Sequence, residues 1–318
     1  MITNNIQDAI DTLNANDIVA IPTETVYGLA GSIYSDEAII KIFQLKRRPL
    51  FNPLIVHLSS VDRLHDVVLN VPDVAQRLAE KFWPGPLTLI LDKKPHISDL
   101  VTAGKSTVGV RVPNHPLTLE LLEKLDFPIA APSANPFTRI SPTRADHVDQ
   151  YFGDELSYVL EGGECLRGIE STIVGFPDGE PVIYRLGSIS VEQIEEVVGQ
   201  PILIADKKEK APDAPGMLSK HYSPRTKTIL VDNVVKALNA YSEKRIGVLS
   251  FQNIYSDKDI EINIVLSKKG DLSEATSNLY ASLHELDEKD LDIIIAERLP
   301  DEGLGRSIND RLSRATKK

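Results

Sequence analysis

The sequence predicts a two-domain α/β protein, with a larger N-terminal domain on a twisted sheet and a smaller C-terminal domain on a parallel sheet. Three observations predict this. The chain has 318 residues, which suits two domains at roughly 100–200 residues each. Hydrophobic residues are 42% and charged residues 25%, a globular balance that lets each half bury a core. Short apolar runs mix with helical patterns on both sides of a Pro-rich, charged stretch.

In the first domain, Ile18–Pro22, Leu54–Leu58, Thr88–Leu91, Val108–Val112, Ile129–Ala131, Tyr158–Leu160 and Thr172–Gly175 read as strands. They are rich in Val, Ile and Leu and stop at Pro, Gly or Asn. Ser35–Lys46 sets Ala38, Ile39, Ile42, Phe43 and Leu45 at helical spacing behind a Ser-Asp cap, and Asp73–Phe82 and Pro116–Leu125 read the same way. This domain is assigned 1–204. Residues 205–225 form a linker with Pro212, Pro215 and Pro224, because proline fixes φ and removes a donor. Its Met217, Leu218, His221 and Tyr222 are too apolar for a solvated tether, so the segment is expected to dock. In 226–318, Lys227–Val231, Arg245–Ser250 and Asp292–Glu297 read as parallel strands, with helices at Asn233–Ala240 and Leu272–Leu286 between them. The C-terminal stretch from Gly303 reads as a capped amphipathic helix with basic residues near its end.

The formal charge of −11 argues against a protein whose task is to grip a nucleic-acid backbone. The single Cys165 permits no internal disulfide and no cysteine zinc cluster, which fits a reducing, cytoplasmic setting. The N-terminus has no basic segment followed by an apolar run, and no stretch approaches 18 uninterrupted apolar residues. Neither a signal peptide nor a membrane span is expected.

A full phosphate loop is absent: Gly104-Lys105-Ser106-Thr107 mimics its end, but Asp99 stands where the first glycine belongs. The chemistry-bearing residues lie instead in short blocks. Pro22-Thr23-Glu24-Thr25-Val26-Tyr27-Gly28-Leu29 reads either as a polar pocket wall at a strand end or as a capped turn with a packed tyrosine. Lys46-Arg47-Arg48 supplies cations at a helix end, where a dipole role and polyphosphate binding are both open. Trp83-Pro84-Gly85-Pro86 reads as an architectural corner. Arg111, inside a β-branched strand, needs a carboxylate from the protein or from a ligand. Ala131-Pro132-Ser133-Ala134-Asn135 permits close backbone approach, and a helix after Ser141 or Thr143 would offer capping or an anion site. Glu170-Ser171-Thr172 leads into a strand, and Arg185 ends the next one.

Together these blocks resemble the YrdC-like family, specifically its two-domain threonylcarbamoyl-AMP synthases. The family's KxR and SxN signature reads here as Lys46-Arg47-Arg48 and Ser133-Ala134-Asn135. Pro22–Leu29, Asn52–His57, Trp83–Thr88, Gly109–Pro113, Ala131–Asn135, Glu170–Val174, the linker block Ala214–Pro224 and the tail Leu304–Ala315 follow the family's blocks in order. The resemblance covers nearly the whole chain. It implies a YrdC-like twisted sheet followed by a Rossmann-like domain. It implies a reaction of L-threonine, bicarbonate and ATP to threonylcarbamoyl-adenylate and pyrophosphate, with magnesium carried mainly by the phosphates and no residue assigned to a metal. Separate transferase machinery would then modify tRNA beside the anticodon.

By the same resemblance, Lys46, Arg48, Ser133 and Asn135 are catalytic. Arg48, Asn52, Thr107, Ser133, Ser141, Arg185 and Tyr222 take the nucleotide. Thr25, His57, Arg111, Ala131 and Ser171 take threonine, with Thr23 a close second to Thr25 and Arg111 gripping the α-carboxylate bidentately. The linker would act as a lid that keeps a hydrolysable intermediate from water, so a chain cut before residue 205 would leak it. A non-catalytic RNA-binding module is the alternative, disfavoured by the charge; stable nucleic-acid binding is not expected.

Overall fold

The computed structural model describes residues 1–205 and 221–317. The linker assignment therefore falls mostly on 206–220, outside the described residues. Up to Ile204 the chain builds one mixed sheet of eleven strands. From one edge it runs Ile2–Thr3, Val159–Leu160, Val19–Ile21, Gly28–Ser32, Ile129–Ala130, Ile55–His57, Thr107–Arg111, Leu87–Asp92, Thr172–Gly175, Val182–Arg185 and Leu203–Ile204. Helices pack on one face over a core that includes Leu29, Ile39, Val56, Leu89, Val110 and Val174, and the helices Ile6–Asn14 and Pro116–Lys124 cover part of the other over Val19, Ile21 and Ile129.

Local sequence explains the elements that frame the site. The helix Asp36–Lys46 starts where the Ser35 side chain accepts a hydrogen bond from the Ala38 N–H, satisfying one orphan donor. It stops because Arg47 takes a left-handed conformation, φ 52°. That reversal leaves Arg47 exposed and turns both Lys46 and Arg48 inward. Trp83-Pro84-Gly85-Pro86 is the expected corner: the Trp83 indole N–H donates to the Leu87 carbonyl at 2.7 Å, and a Cβ at Gly85 would stand 2.2 Å from the Phe82 carbonyl. The helix after the Ser141 region is Ala145–Phe152, with Arg144 at its N-cap and no side-chain cap. The expected capping by Ser141 or Thr143 is corrected, because the Ser141 hydroxyl is spent on Glu170.

The C-terminal unit is a four-stranded parallel sheet, ordered Thr228–Val231, Ile293–Glu297, Ile246–Ser250, Ile260–Val265. The edge strand Ile260–Val265 was not foreseen; it is half-buried and alternates with Glu261 and Asn263. One face of this sheet packs on the helix Val234–Ala240 in a core of its own. The other face shares a core with the first domain: Val26, Ile140, Ile169 and Tyr222 pack with Leu279, Tyr280, Leu283, Ile308 and Leu312. The expectation that each half buries a separate core is thus half right, since docking continues the folding of the smaller unit.

Backbone approach at this junction is close. Gly168 has φ +70°, and a Cβ there would lie 2.2 Å from the Ser277 carbonyl oxygen on the long helix Leu272–Glu288. Gly168→Ala is expected to cost roughly 1–3 kcal/mol. Urea unfolding checks this, and an unchanged midpoint would contradict the close packing.

Candidate active site

Strand parity builds the site. Side chains two apart share a face of a strand, and Val56, Val108, Val110, Leu89 and Val174 all point into the helix-covered core. Their neighbours therefore share the opposite face: Ile55 and His57, Thr107, Gly109 and Arg111, Thr88 and Ile90, Ser171 and Ile173. The register aligns Ile55 with Gly109 and His57 with Arg111, and Ile90 with Gly109 on the other side. The middle of this face is apolar, with Ile55, Ile90 and Ile173 joined by Tyr184 and Ala205. Gly109 keeps it flat, because a Cβ there would meet Ile90 at 3.2 Å and Ile55 at 3.5 Å. One end is polar and forms a cavity of about 50 Å³ that opens to solvent.

Thr25, Arg48, His57, Arg111, Ala131, Ser133, Ser171, Arg185 and Tyr222 all line that cavity, so most of the expected residues converge. Thr23 lines it too. Its hydroxyl bonds the Thr25 hydroxyl at 2.8 Å and the Val26 carbonyl at 2.7 Å, and accepts from the Thr25 N–H. The segment is thus both a capped turn and a pocket wall, with Tyr27 packed and fully buried.

Arg111 corrects one expectation. Its charge is already matched by Glu24, whose carboxylate oxygen lies 2.7 Å from Nη2, outside hydrogen-bond alignment. Nη2 also donates to Thr25 Oγ1 at 3.0 Å, and Nε to the Gly85 carbonyl at 3.2 Å. Among the described residues Nη1 alone of this fork has no hydrogen-bond partner, so the fork is not open for a bidentate contact. Beside it, burial and then the Arg111 charge push the His57 imidazole down to about 3, so it is neutral at physiological pH. Its Nδ1 lies 3.2 Å from the Ile55 carbonyl.

Arg48 is buried with Nε on the Asn52 carbonyl at 3.2 Å and Nη2 on the Pro53 carbonyl at 2.8 Å. Among the described residues no carboxylate pairs with it. Burial and then the Arg185 charge lower its pKa to about 9, which leaves it cationic at neutral pH. Arg185 donates to the Ser171 carbonyl and hydroxyl at 2.9 and 3.0 Å, and Ser171 meets the Thr88 hydroxyl at 2.8 Å.

Other expected residues stand outside the wall. Lys46 Nζ donates to the Ser133 carbonyl and, at 2.5 Å, to the Asn135 carbonyl, so the ammonium sits behind Ser133. Burial, with Arg48 beside it, pushes its pKa down. Asn135 is not in the wall because its amide is spent on the carbonyls of Pro136 and Arg139. Ser141 lies behind Glu170 at 2.6 Å. Asn52 is fully buried, and among the described residues neither polar atom of its side chain has a partner. Thr107 shares the face of Arg111 but lies about 13 Å along the strand at ~3.3 Å per residue; it lines a second groove with Ile90 and Tyr184. Ala131 has its N–H on the Ile55 carbonyl at 3.0 Å, which leaves its own carbonyl to offer.

Sequence reasoning gave no site role to Glu24, Glu170 or His221; Glu170 and His221 line the cavity, and Glu24 pairs with Arg111. Glu24 and Glu170 lie inside the quoted blocks, but only a partner in space gives a buried carboxylate a role. Tyr222 has φ +64°, is buried, and has no hydroxyl partner among the described residues. Among those residues no three His, Cys, Asp or Glu side chains are grouped to hold a metal, and no helix is long and apolar enough to cross a membrane.

A family model described as "Telomere recombination", for the Sua5, YciO and YrdC proteins, matches residues 11–187. A second, described as the C-terminal domain of threonylcarbamoyl-AMP synthase, matches 189–316. The threonylcarbamoyl-AMP synthase of Bacillus subtilis is 39% identical over 98% of this chain and 92% of its own length. That of Pyrococcus abyssi is 35% identical over 98% of this chain and 94% of its own length. The crystal structure of P. abyssi Sua5 complexed with L-threonine matches with a TM-score of 0.92 at 35% identity, covering 98% of this chain and 94% of that one. The two-domain architecture, the two family models and these full-length likenesses agree: the chain belongs to the Sua5/YrdC family of threonylcarbamoyl-AMP synthases.

Proposed function

We propose that this chain condenses L-threonine, bicarbonate or its CO₂, and ATP into threonylcarbamoyl-adenylate and pyrophosphate. The carrying observation is the convergence of two cationic grips, Arg111 at one wall and Arg48 with Arg185 at another, in a single cavity. The relatives' names and the L-threonine complex of the P. abyssi protein support the same reading. Threonine would present its carboxylate to Arg111 Nη1, with Thr25, neutral His57, Ser171 and the Ala131 carbonyl around its amine and hydroxyl. The nucleotide would set its phosphates by Arg48, Arg185 and Ser133. Its adenosine would lie along the apolar face over Ile55, Gly109, Ile90 and Ile173 toward Thr107.

The chemistry needs placement more than acid–base work. The threonine amine attacks the carbon of CO₂ to give a carbamate. A carbamate oxygen then attacks the α-phosphorus, and the bond to pyrophosphate breaks. Two anions must meet, so fixed cations in a water-poor site stabilise the crowded charge. Lys46 contributes from behind: its Nζ binds the loop carbonyls of 133 and 135, which holds that loop against the phosphates and adds field. Magnesium would ride on the phosphates. The fit favours that over a protein cage, because Glu24 faces Arg111 and Glu170 faces Arg311. When bound it neutralises phosphate charge. Tyr222 closes one wall and keeps water from a labile mixed anhydride. The product would pass in the cytoplasm to a separate transferase acting on tRNA.

The two grips should separate in kinetics. Arg111→Ala is expected to raise the threonine KM roughly 30-fold or more with little change for ATP, and Arg48→Ala the reverse, as truncating one partner of a buried charge contact costs about 2–5 kcal/mol. Threonine- and bicarbonate-dependent pyrophosphate release measures both, and wild-type rates in both variants would reject the assignment. A second test uses pH. Because His57 is held near pKa 3, it stays neutral above that value and gains charge only well below physiological pH. The rate between pH 5 and 8 should therefore show no limb that disappears in His57→Asn; such a limb near pH 6.5 would contradict the neutral imidazole.

A further inference from the structure

The C-terminal domain reaches the cavity through one carboxylate. Glu170 lines the cavity and is buried. It accepts hydrogen bonds from the Ser141 hydroxyl at 2.6 Å, the Tyr280 hydroxyl at 3.0 and 3.1 Å, and Arg311 Nε at 3.0 Å. Tyr280 lies on the helix Leu272–Glu288 and Arg311 on the helix Gly303–Ala315, both in the C-terminal domain. Arg311 is fully buried, and the rest of its fork is spent on the Leu186 carbonyl at 2.7 Å and Asp310 at 2.9 Å. The same two residues hold Tyr222: the Arg311 guanidinium lies 5.0 Å from the centre of its ring, and Tyr280 stacks on it at 5.7 Å. Two side chains of the second domain thus fix two members of the cavity wall.

A carboxylate in this wall is a rival of the substrate. Burial alone would raise the Glu170 pKa, but Arg311, then Arg185 and the Ser141 bond, hold it at about 2, so it is an anion. An anion facing the cavity would draw the positive field that phosphates need. Saturated from the other side, it leaves that field to the nucleotide. We propose that Arg311 and Tyr280 are positioning residues of the reaction, which keep Glu170 turned toward the C-terminal domain so that phosphates, not Glu170, engage the cavity's cations. The inference rests on the function proposed above. It gives the second domain a role in nucleotide affinity, carried by the tail block around Asn309-Asp310-Arg311.

The test is calorimetric titration of the full chain with a non-hydrolysable ATP analogue and, separately, with threonine. Arg311→Gln is expected to weaken the analogue roughly tenfold or more while threonine affinity stays within about twofold. Tyr280→Phe deletes one hydroxyl and should weaken the analogue about threefold with threonine affinity unchanged. Glu170→Gln in the Arg311→Gln background removes the rival anion and should return analogue affinity to within about threefold of wild type, a rescue that a merely structural role would not give. Loss of both ligands in step with melting temperature, or a double variant no tighter than Arg311→Gln, would overturn the proposal. Should Arg311→Gln fail to fold, Tyr280→Phe and the double variant still decide it. A wild-type chain that binds the analogue but releases no pyrophosphate would sink the proposed reaction, and with it the positioning role in that reaction, while the analogue series would still decide whether Arg311 and Tyr280 set nucleotide affinity. A chain that binds no analogue would sink both.

Discussion

Buried positive charge is the constraint around which this molecule is arranged. Taking a cation out of water costs several kcal/mol even after relaxation, so each buried cation must be accounted for. Arg111 is matched by Glu24, and Arg311 by Glu170 and Asp310. Lys46 and Arg48 are different: each meets only backbone carbonyls among the described residues. Carbonyl dipoles stabilise a cation without cancelling its charge, so the attraction for a further anion survives. Matched charges hold walls in place, and unmatched ones keep a field inside the cavity; Arg111 does both, paired with Glu24 yet lining the cavity.

The sheet supplies the geometry in which that field acts. Its twist brings the ends of strands from distant stretches of sequence to one place, and parity decides what they show there. Thr107, Gly109 and Arg111 place a hydroxyl, a bare backbone and a guanidinium in a row on one strand. Ile55 and His57 do the same on its neighbour, in register. One face therefore carries an apolar middle, covered by Tyr184 and Ala205, and a polar end. Neither property belongs to a single block; both follow from the two-residue repeat of a strand.

The limits of several elements were legible in the sequence. The helix Asp73–Phe82 and the strand Thr172–Gly175 have the limits that their patterns predict. The strand Gly28–Ser32 was not legible, because Gly-Leu-Ala-Gly-Ser carries no β-branched residue and owes its place to burial on both faces. For the site, the blocks named the right neighbourhood, and convergence of Thr25, His57, Arg111 and Arg185 followed. What they could not reveal is depth. Lys46, Asn135 and Ser141 stand one layer behind the wall because loop carbonyls and Glu170 intervene, and no spacing encodes that. Arg311 did leave a signal. Its place with Ile308, Leu312 and Ala315 follows the i, i+3, i+4, i+7 repeat of a buried stripe, and an arginine on such a stripe demands a partner carboxylate. In the sequence the basic residues near the end of this helix read only as complementing its dipole; Arg311 is fully buried.

The shared core explains why the second domain is more than a cover. Val26 neighbours Thr25 in the cavity wall, Ile169 precedes Glu170, and Tyr222 is itself part of the wall; all three pack in the same apolar cluster as Leu279, Tyr280 and Leu312. Cutting the chain before residue 205 would therefore bare that cluster and remove the Arg311 and Tyr280 partners of Glu170. The expectation of a simple lid has to be enlarged accordingly. A lid can open without changing what lies beneath it, whereas here undocking would alter the charge of the cavity as well as its access to water. A reaction that must join two anions and then protect a hydrolysable product needs both controls. Placing them on one helix pair, through Tyr280 and Arg311, lets a single docking equilibrium set them together.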